Sequence, residues 1–261
     1  MFSLTPIPAL ADNYVWTLSR EDGDAVVVDP GEAEPVLEHL RTHGLRLTAI
    51  LVTHHHWDHT NGVRALRERF DVPVFASANE RAPITGTTHP LNDGDEVPVL
   101  GETFRVIAIP GHTLGHVAYY GAGLLLSGDT LFSAGCGRVF EGEPGQMLAS
   151  LDRLADLPDD TRLLCGHEYT LANLAFAQAV EPDNEEIRAY TEKVRRLREQ
   201  SKPSLPSDLK TEHAVNPFLR CRVAAVARSA EQHAGTTLSS PAEVFAVLRE
   251  WKNNFRPASS R

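Results

Sequence analysis

The sequence contains few cysteines, and their spacing excludes a disulfide framework. Only three of the 261 residues are cysteine. Cys136, Cys165 and Cys221 lie far apart and form no C-x-x-C pair. Small secreted domains that depend on disulfides carry an even number of cysteines at regular spacings. We therefore expect three buried or half-buried thiols that act neither as metal ligands nor as nucleophiles.

The chain also lacks a long apolar run, a signal-peptide pattern and an excess of basic charge. No segment approaches the roughly 20 apolar residues that a membrane helix requires. Residues 1–6 have neither the basic nor the apolar region of a signal peptide. With 25 Lys and Arg against 35 Asp and Glu, the net charge is -10, unlike that of a general nucleic-acid binder. We expect a cytoplasmic monomer that binds neither nucleic acid nor a membrane.

What the chain does contain is a dense histidine cluster, H-H-H-W-D-H, at residues 54–59. An apolar run at residues 49–52 precedes the cluster and predicts a buried strand, and apolar residues at helical spacing follow it over residues 63–70. Loops between a strand and a helix often carry functional groups. Imidazole is the commonest metal ligand, and imidazoles with a carboxylate suit zinc, iron or manganese.

The spacing within this cluster indicates two adjacent metal positions. On an extended segment His54 and His56 would point the same way, because successive side chains alternate. Asp58 and His59 begin the following turn and can face a second point. The His-x-His-x-Asp-His pattern therefore predicts ligands for more than one metal.

Three further ligand-type residues, His112, Asp129 and His167, each follow the end of a predicted strand. A sheet can bring such ends together, so we predict a two-metal site with Asp129 as the bridge. One metal would take His54, His56 and His112, and the other would take Asp58, His59 and His167. Metal binding lowers the pKa of water from about 15.7 to about 7, so hydroxide is available without a serine or cysteine nucleophile.

The pattern of elements changes near residue 170. Before it, short apolar strands alternate with helical patterns, which predicts an α/β fold. Residues 76–98 are rich in Pro, Gly, Thr and Asp and predict loops and turns. After residue 170 helical patterns dominate, with helices expected over 171–180, 187–197, 223–231 and 242–252.

Several motifs of the chain resemble those of the metallo-β-lactamase superfamily. They are T-H-H-H-x-D-H, P-G-H-T-x-G-H, G-D-T-L-F and G-H-E-Y-T, beginning at residues 53, 110, 128 and 166. More closely, the chain is similar to bacterial glyoxalase II, the hydroxyacylglutathione hydrolase family. The G-C-G-R loop at residues 135–138 and the R-E-W-K segment at 249–252 make that resemblance specific.

The resemblance implies an αββα sandwich followed by a small helical domain. Residues 1–170 would form the catalytic domain and residues 171–261 a glutathione-binding domain. The implied reaction is hydrolysis of S-D-lactoylglutathione to D-lactate and glutathione, a step of methylglyoxal detoxification. It implies two divalent metals, which we take to be zinc, with iron or manganese as alternatives, and it implies the same seven ligands.

The resemblance also implies roles for single residues. Asp58 would orient the metal-bound hydroxide, and glutathione would contact Arg138, Tyr169, Arg249 and Lys252. The three cations among them can bind glutathione carboxylates through charge-assisted hydrogen bonds.

Other roles follow from position in the motifs. Metal-binding imidazoles usually donate their second N–H, so Asp29 and His116 could each orient a ligand, or His116 could simply pack. His55 and Trp57 alternate away from the metals, and we interpret both as structural.

The chain departs from the family pattern at two positions. Asn61-Gly62 stands where Gly-Gly is common after the histidine cluster, and we expect little change because asparagine tolerates left-handed backbone. Phe140 stands where some relatives have tyrosine, so one hydrogen bond to the glutathione backbone would be missing.

Three alternative functions remain open from the sequence. A glutathione persulfide dioxygenase shares much of the fold but resembles a one-iron site. A β-lactamase or nuclease-type relative would leave the Arg249–Lys252 segment unexplained. A non-catalytic metal- or glutathione-binding protein would not need the complete ligand set. A metal count and a thioester hydrolysis assay discriminate among them.

Overall fold

Two six-stranded sheets pack face to face in the computed structural model, which describes residues 2–256. The first sheet has the order β1-β2-β3-β4-β5-β6, and its strands from β3 to β6 are parallel. Its strands are β1 (Ser3–Ala9), β2 (Asn13–Ser19), β3 (Asp24–Val28), β4 (Arg46–Leu51), β5 (Val74–Ser77) and β6 (His89–Leu91).

The second sheet has the order β14-β13-β10-β9-β8-β7, in which only the β10–β13 pair is parallel. A short hairpin, β11 (Leu131–Phe132) and β12 (Gly135–Cys136), stands apart from it. The strands of the second sheet are β7 (Glu96–Val99), β8 (Glu102–Ala108), β9 (Val117–Gly121), β10 (Leu124–Gly128), β13 (Arg162–Cys165) and β14 (Ser207–Asp208).

The helices have recognisable sequence signals at their ends. Gly44 ends α1 in the left-handed conformation, at φ 63°. The Asn184 side chain accepts from two backbone N–H groups at the start of α6, and the Ser240 hydroxyl accepts from one at the start of α9. The helices are α1 (Glu34–His43), α2 (Trp57–Thr60), α3 (Val63–Arg69), α4 (Pro144–Ala155), α5 (Thr170–Val180), α6 (Glu185–Glu199), α7 (Leu209–Val215), α8 (Ala224–Ala234) and α9 (Pro241–Asn254).

Among the described residues, three of the four apolar clusters form the layers of the sandwich, and the fourth packs α5, α6 and α7 together. Between the sheets lie buried side chains such as Trp16 and Phe104. The outer face of the first sheet packs against α1 and α3, for example through Val27 and Leu66. The outer face of the second sheet packs against α4, α5, α8 and α9. This layering confirms the predicted αββα sandwich with a helical C-terminal region.

The expectation of loops over residues 76–98 is wrong in part. Residues 89–91 form β6 and residues 96–99 form β7. Both are edge strands of three or four residues, and edge strands can accommodate the proline that each contains. Short edge strands leave only a weak periodic signal in the sequence.

The helical region after residue 170 is closely joined to the sandwich. Phe176, Phe218 and Phe245 share one apolar cluster with Leu125 of β10. Strand β14 extends the second sheet by pairing with β13. The division into domains at residue 170 stays a proposal, and residues 257–261 of the second domain lie outside the described part of the chain. Within residues 2–256, no helix has the length and apolar character needed to cross a bilayer.

Candidate metal centre

The predicted ligands come together at one edge of the sandwich, where strands from both sheets end. The 54–59 cluster follows β4, and the remaining residues follow β8, β10 and β13. The structure places all seven around one site as two groups and a carboxylate between them. We call His54, His56 and His112 the first trio, and Asp58, His59 and His167 the second trio.

The first trio consists of three imidazoles whose nitrogens face one point. His56 Nδ1 lies 3.0 Å from His54 Nε2 and 3.0 Å from His112 Nε2. Burial lowers the pKa of His54 well below its ordinary value and lowers the pKa of His112 to about 4. At neutral pH these rings are uncharged, which is the form that binds metal.

The second trio combines a carboxylate with two imidazoles. Asp58 Oδ2 lies 3.6 Å from His59 Nε2 and 3.5 Å from His167 Nε2. Burial alone would lower the pKa of both histidines. The nearby negative charge of Asp129 overcomes this effect and raises the pKa of both rings.

Asp129 lies between the two trios. Its Oδ1 is 3.4 Å from His59 Nε2, while its Oδ2 is 3.2 Å from His167 Nε2 and 3.7 Å from His112 Nε2. Burial would raise the pKa of this carboxyl, but His59 and His167 hold the pKa well below its usual range. An ionised carboxylate that reaches both trios is placed to bridge two cations.

Two polar atoms inside this cluster support its interpretation as a metal centre. Among the described residues, His59 Nε2 and Asp129 Oδ1 are buried without a hydrogen-bond partner. Such atoms are rare because leaving them unsatisfied is costly. A Cβ at Gly166 would lie 2.6 Å from Asp129 Oδ1 and 2.7 Å from His59 Cε1, so only glycine leaves this space free. The donor set fits a dinuclear centre of zinc, iron or manganese.

Asp29 contacts ligands of both trios, one directly and one through a threonine. Its Oδ2 accepts from His59 Nδ1 at 3.1 Å and from the Thr53 hydroxyl at 2.7 Å. The Thr53 oxygen lies 3.0 Å from His54 Nδ1. These contacts hold both rings with Nε2 toward the centre, the orienting role that is common around metal sites.

Three further hydrogen bonds to the ligands were not predicted from the sequence. His167 Nδ1 donates to Asp12 at 2.8 Å, and His112 Nδ1 donates to the Arg138 carbonyl at 2.9 Å. Asn13 Nδ2 donates to Asp58 Oδ2 at 3.0 Å. Asp12 and Asn13 lie 155 and 45 residues from these partners in sequence, so no local pattern points to them.

His116 is fully buried but is not one of the converging ligands. Its ring stacks on His54 with centroids 4.6 Å apart, and its Nε2 accepts from the Asp129 backbone N–H at 3.1 Å. His116 therefore contacts the backbone of Asp129 instead of the N–H of a ligand ring.

One expectation about the loop at residues 54–61 is wrong. Trp57 was expected to be structural, but its side chain is 61% exposed and lines a cavity beside the centre. Asn61 was expected to change little because asparagine tolerates left-handed backbone. The residue is right-handed, at φ -60° and ψ -27°, and ends α2, so that tolerance is not needed there.

A cavity of about 660 Å³ opens beside the two trios. Tyr169 stacks on His167 at one wall, with centroids 4.6 Å apart. Phe140 lies at another wall, 61% exposed and with its ring 5.2 Å from that of His112. The cations that line this cavity are Arg138, Arg249, Lys252 and Arg256, of which only Arg256 was not predicted.

Arg249 and Lys252 differ in what they contact. Arg249 is buried, and its Nη1 donates to the Cys136 carbonyl at 2.7 Å while its guanidinium lies over the Phe218 ring. Lys252 Nζ donates to the Ala172 carbonyl at 2.8 Å. Burial, together with the nearby charge of Arg249, lowers the pKa of Lys252 to about 8. Arg249 thus supports the 135–138 loop, whereas Lys252 is the more available cation.

Comparison with known proteins gives a consistent result along the chain. Residues 11–167 match the metallo-beta-lactamase superfamily, and residues 168–255 match the hydroxyacylglutathione hydrolase C-terminus. A hydroxyacylglutathione hydrolase of Nitrosomonas eutropha is 49% identical over 258 residues, covering 98% of this chain and 100% of the relative.

Solved structures with sequence similarity share the fold. ETHE1 from Myxococcus xanthus has a TM-score of 0.67 at 27% identity, covering 98% of this chain and 93% of its own. TTHA1623 in a di-iron-bound form has a TM-score of 0.59 at 28% identity, covering 82% of this chain and 100% of its own.

Proposed function

The chain belongs to the hydroxyacylglutathione hydrolase family of the metallo-β-lactamase superfamily, and from this premise we propose how its site works. The protein is a thioester hydrolase that converts S-D-lactoylglutathione and water to D-lactate and glutathione. The observation that carries the account is the convergence of two ligand trios and a carboxylate beside a cavity lined by cations.

The residues of the centre would have different roles in the reaction. When bound, two divalent metals supply an activated water at neutral pH and polarise an acyl oxygen. Asp58, held by the Asn13 amide, would orient the attacking water, and Asp129 would hold both trios at a fixed separation. Asp12 and Asp29 keep His167 and His59 turned toward the centre.

The glutathione part of the substrate would occupy the cationic side of the cavity. Arg138, Tyr169 and Lys252 line it from the side of the 135–138 loop and of α5 and α9. The positive charges of Arg138 and Lys252 offset the overall net charge of -10 at this one surface and suit the glutathione carboxylates. Arg249 would contribute to this binding mainly by holding the loop that carries Arg138.

We propose zinc as the resident metal, with iron or manganese as chemically compatible alternatives. The di-iron form of TTHA1623 supports keeping iron among them. We further propose that the enzyme works as a cytoplasmic monomer on a small-molecule thioester, with neither nucleic acid nor a membrane as a partner. The second trio favours this function over a persulfide dioxygenase, because an enzyme with one iron does not need a second set of metal ligands.

Metal analysis combined with a hydrolysis assay tests the proposal. Fully loaded protein should contain about two metals per chain and should hydrolyse lactoylglutathione, followed as loss of thioester absorbance. Protein that keeps one metal under excess metal and leaves the thioester intact would favour the dioxygenase instead. Loaded protein that binds glutathione without any turnover would favour a binding protein.

A further inference from the structure

A second cluster of metal-ligand-type side chains lies beside the two trios, around His55. His55 Nδ1 lies 2.8 Å from Glu80 Oε2, and the His55 backbone N–H donates to Glu80 Oε1 at 3.1 Å. On the other side of the ring, His55 Nε2 is 3.6 Å from Glu141 Oε1. The Glu80 side chain is only 2% exposed, so these contacts are largely shielded from water.

Both carboxylates also contact the loop that follows His112. The Thr113 hydroxyl donates to Glu80 Oε1 at 2.8 Å, and the Leu114 backbone N–H donates to Glu141 Oε2 at 2.9 Å. A Cβ at Gly115 would lie 2.4 Å from the Glu80 backbone nitrogen, so this loop packs directly on the segment that carries Glu80. The two carboxylates therefore join the His55 loop to the His112 loop.

These contacts explain the cluster better than a third metal does. Both Glu80 oxygens and Glu141 Oε2 already accept from donors of the chain. A metal would have to displace those donors and leave them unsatisfied.

We propose that Glu80 and Glu141 act through His55 as a clamp that sets the geometry of the first trio. The inference rests on the proposed dinuclear centre. The first trio takes His54 and His56 from one loop and His112 from the other, so its geometry depends on how the two loops are held together. His167 of the second trio comes from the loop after β13 and is held by Asp12 instead. The clamp residues are positioning residues, because none of them belongs to either trio or lines the cavity.

The test uses metal binding as its main readout. Glu80→Ala and His55→Ala are loaded with cobalt or zinc, and release of each metal to a chromogenic chelator is followed. One of the two metals should bind about tenfold more weakly, at the low end of the 10–100-fold cost of outer-shell changes. The other metal should be released as in the wild type. The absorption spectrum of cobalt in the weakened site should change as well.

Two further variants separate the clamp from general stability. The double variant Glu80→Ala/His55→Ala should bind metal about as weakly as either single variant, because the two residues act as one unit. Glu80→Gln keeps the size of the side chain and one accepting oxygen, so it should fold and give an intermediate loss. It keeps the proposal testable even if Glu80→Ala folds poorly.

Glu181→Gln is the matched control. Glu181 is also buried and ion-paired, with Arg220 at 2.8 and 2.9 Å, but it lies in the helical region. This control should lower the melting temperature without changing the release of either metal. The clamp is overturned if Glu80→Ala and Glu80→Gln, like the control, lower only the melting temperature of the metal-free protein.

The outcome also distinguishes the clamp from the proposed function. Wild-type protein that binds a single metal contradicts the dinuclear centre, and the clamp is then tested on that one metal by the same variants. Wild-type protein that binds two metals, with both bound equally well by Glu80→Ala and Glu80→Gln, leaves the dinuclear centre intact and contradicts the clamp.

Discussion

The two trios lie side by side but differ in charge and in how they are held. The first trio has three imidazoles, and burial lowers the pKa of each of them. The second trio has a carboxylate and two imidazoles whose pKa values rise under the influence of Asp129. Only the second trio contains a carboxylate, Asp58. In the proposed function this difference would give two metal positions of unequal character, and Asp58 would orient the water.

The largest expected effect comes from removing the group that both trios share. Asp129→Ala should lower kcat/KM by more than about 100-fold, beyond the 10–100-fold usual for outer-shell changes. It should also lower the affinity of both metal positions. Asp129→Asn, which keeps the size but not the charge, should lose nearly as much. Metal content and turnover are measured on the same samples, and retention of two tightly bound metals would contradict the bridging role.

The next largest effect should come from variants that weaken metal binding by the second trio alone. Asp58→Ala and His59→Ala should weaken the second metal and lower turnover by about 100-fold while the fold is retained, because these loop side chains add little packing. Circular dichroism checks the fold, and metal analysis should show about one metal remaining. Unchanged turnover in either variant at matched metal content would contradict the assignment of that residue as a ligand of the second metal.

How far the sequence anticipates this centre depends on how local each signal is. The cluster at residues 54–59 is contiguous, and His112, Asp129 and His167 each follow a strand, so pattern alone predicts that they meet. The roles of Asp12 and Glu80 could not be predicted from local patterns, because their partners His167 and His55 lie 155 and 25 residues away in sequence. The burial of Arg249 depends on the contact of α9 with the 135–138 loop, which no local pattern reports.

A smaller effect should separate the two cations of α9. Lys252→Ala removes a cation available to the substrate and should raise KM about ten- to a hundredfold with kcat nearly unchanged. Arg249→Ala should raise KM and also lower kcat, because it releases the loop whose Arg138 carbonyl accepts from His112.

A small thioester without glutathione carboxylates serves as the control substrate for both variants. Lys252→Ala should hardly change its hydrolysis, whereas Arg249→Ala should slow it. Equal losses on both thioesters for Lys252→Ala would exclude a role in glutathione recognition.

The smallest effect is a pH dependence. Since the pKa of Lys252 is about 8, raising the pH through this value removes its positive charge from the free enzyme. kcat/KM for lactoylglutathione should therefore fall above pH 8, by up to about tenfold, since it reports ionisation of the free enzyme. Lys252→Arg stays charged in this pH range, so its kcat/KM should not show the fall above pH 8 that comes from loss of the Lys252 charge. The same decline in both proteins would assign it to another group.

Whether catalysis needs both metals is tested by titrating metal into the metal-free protein and assaying hydrolysis at each step. Turnover of lactoylglutathione should keep rising until two metals are bound per chain, and Asp58→Ala should reach its plateau at one metal with little activity. Full turnover at one bound metal per chain, with no change on binding the second, would contradict a dinuclear catalytic centre.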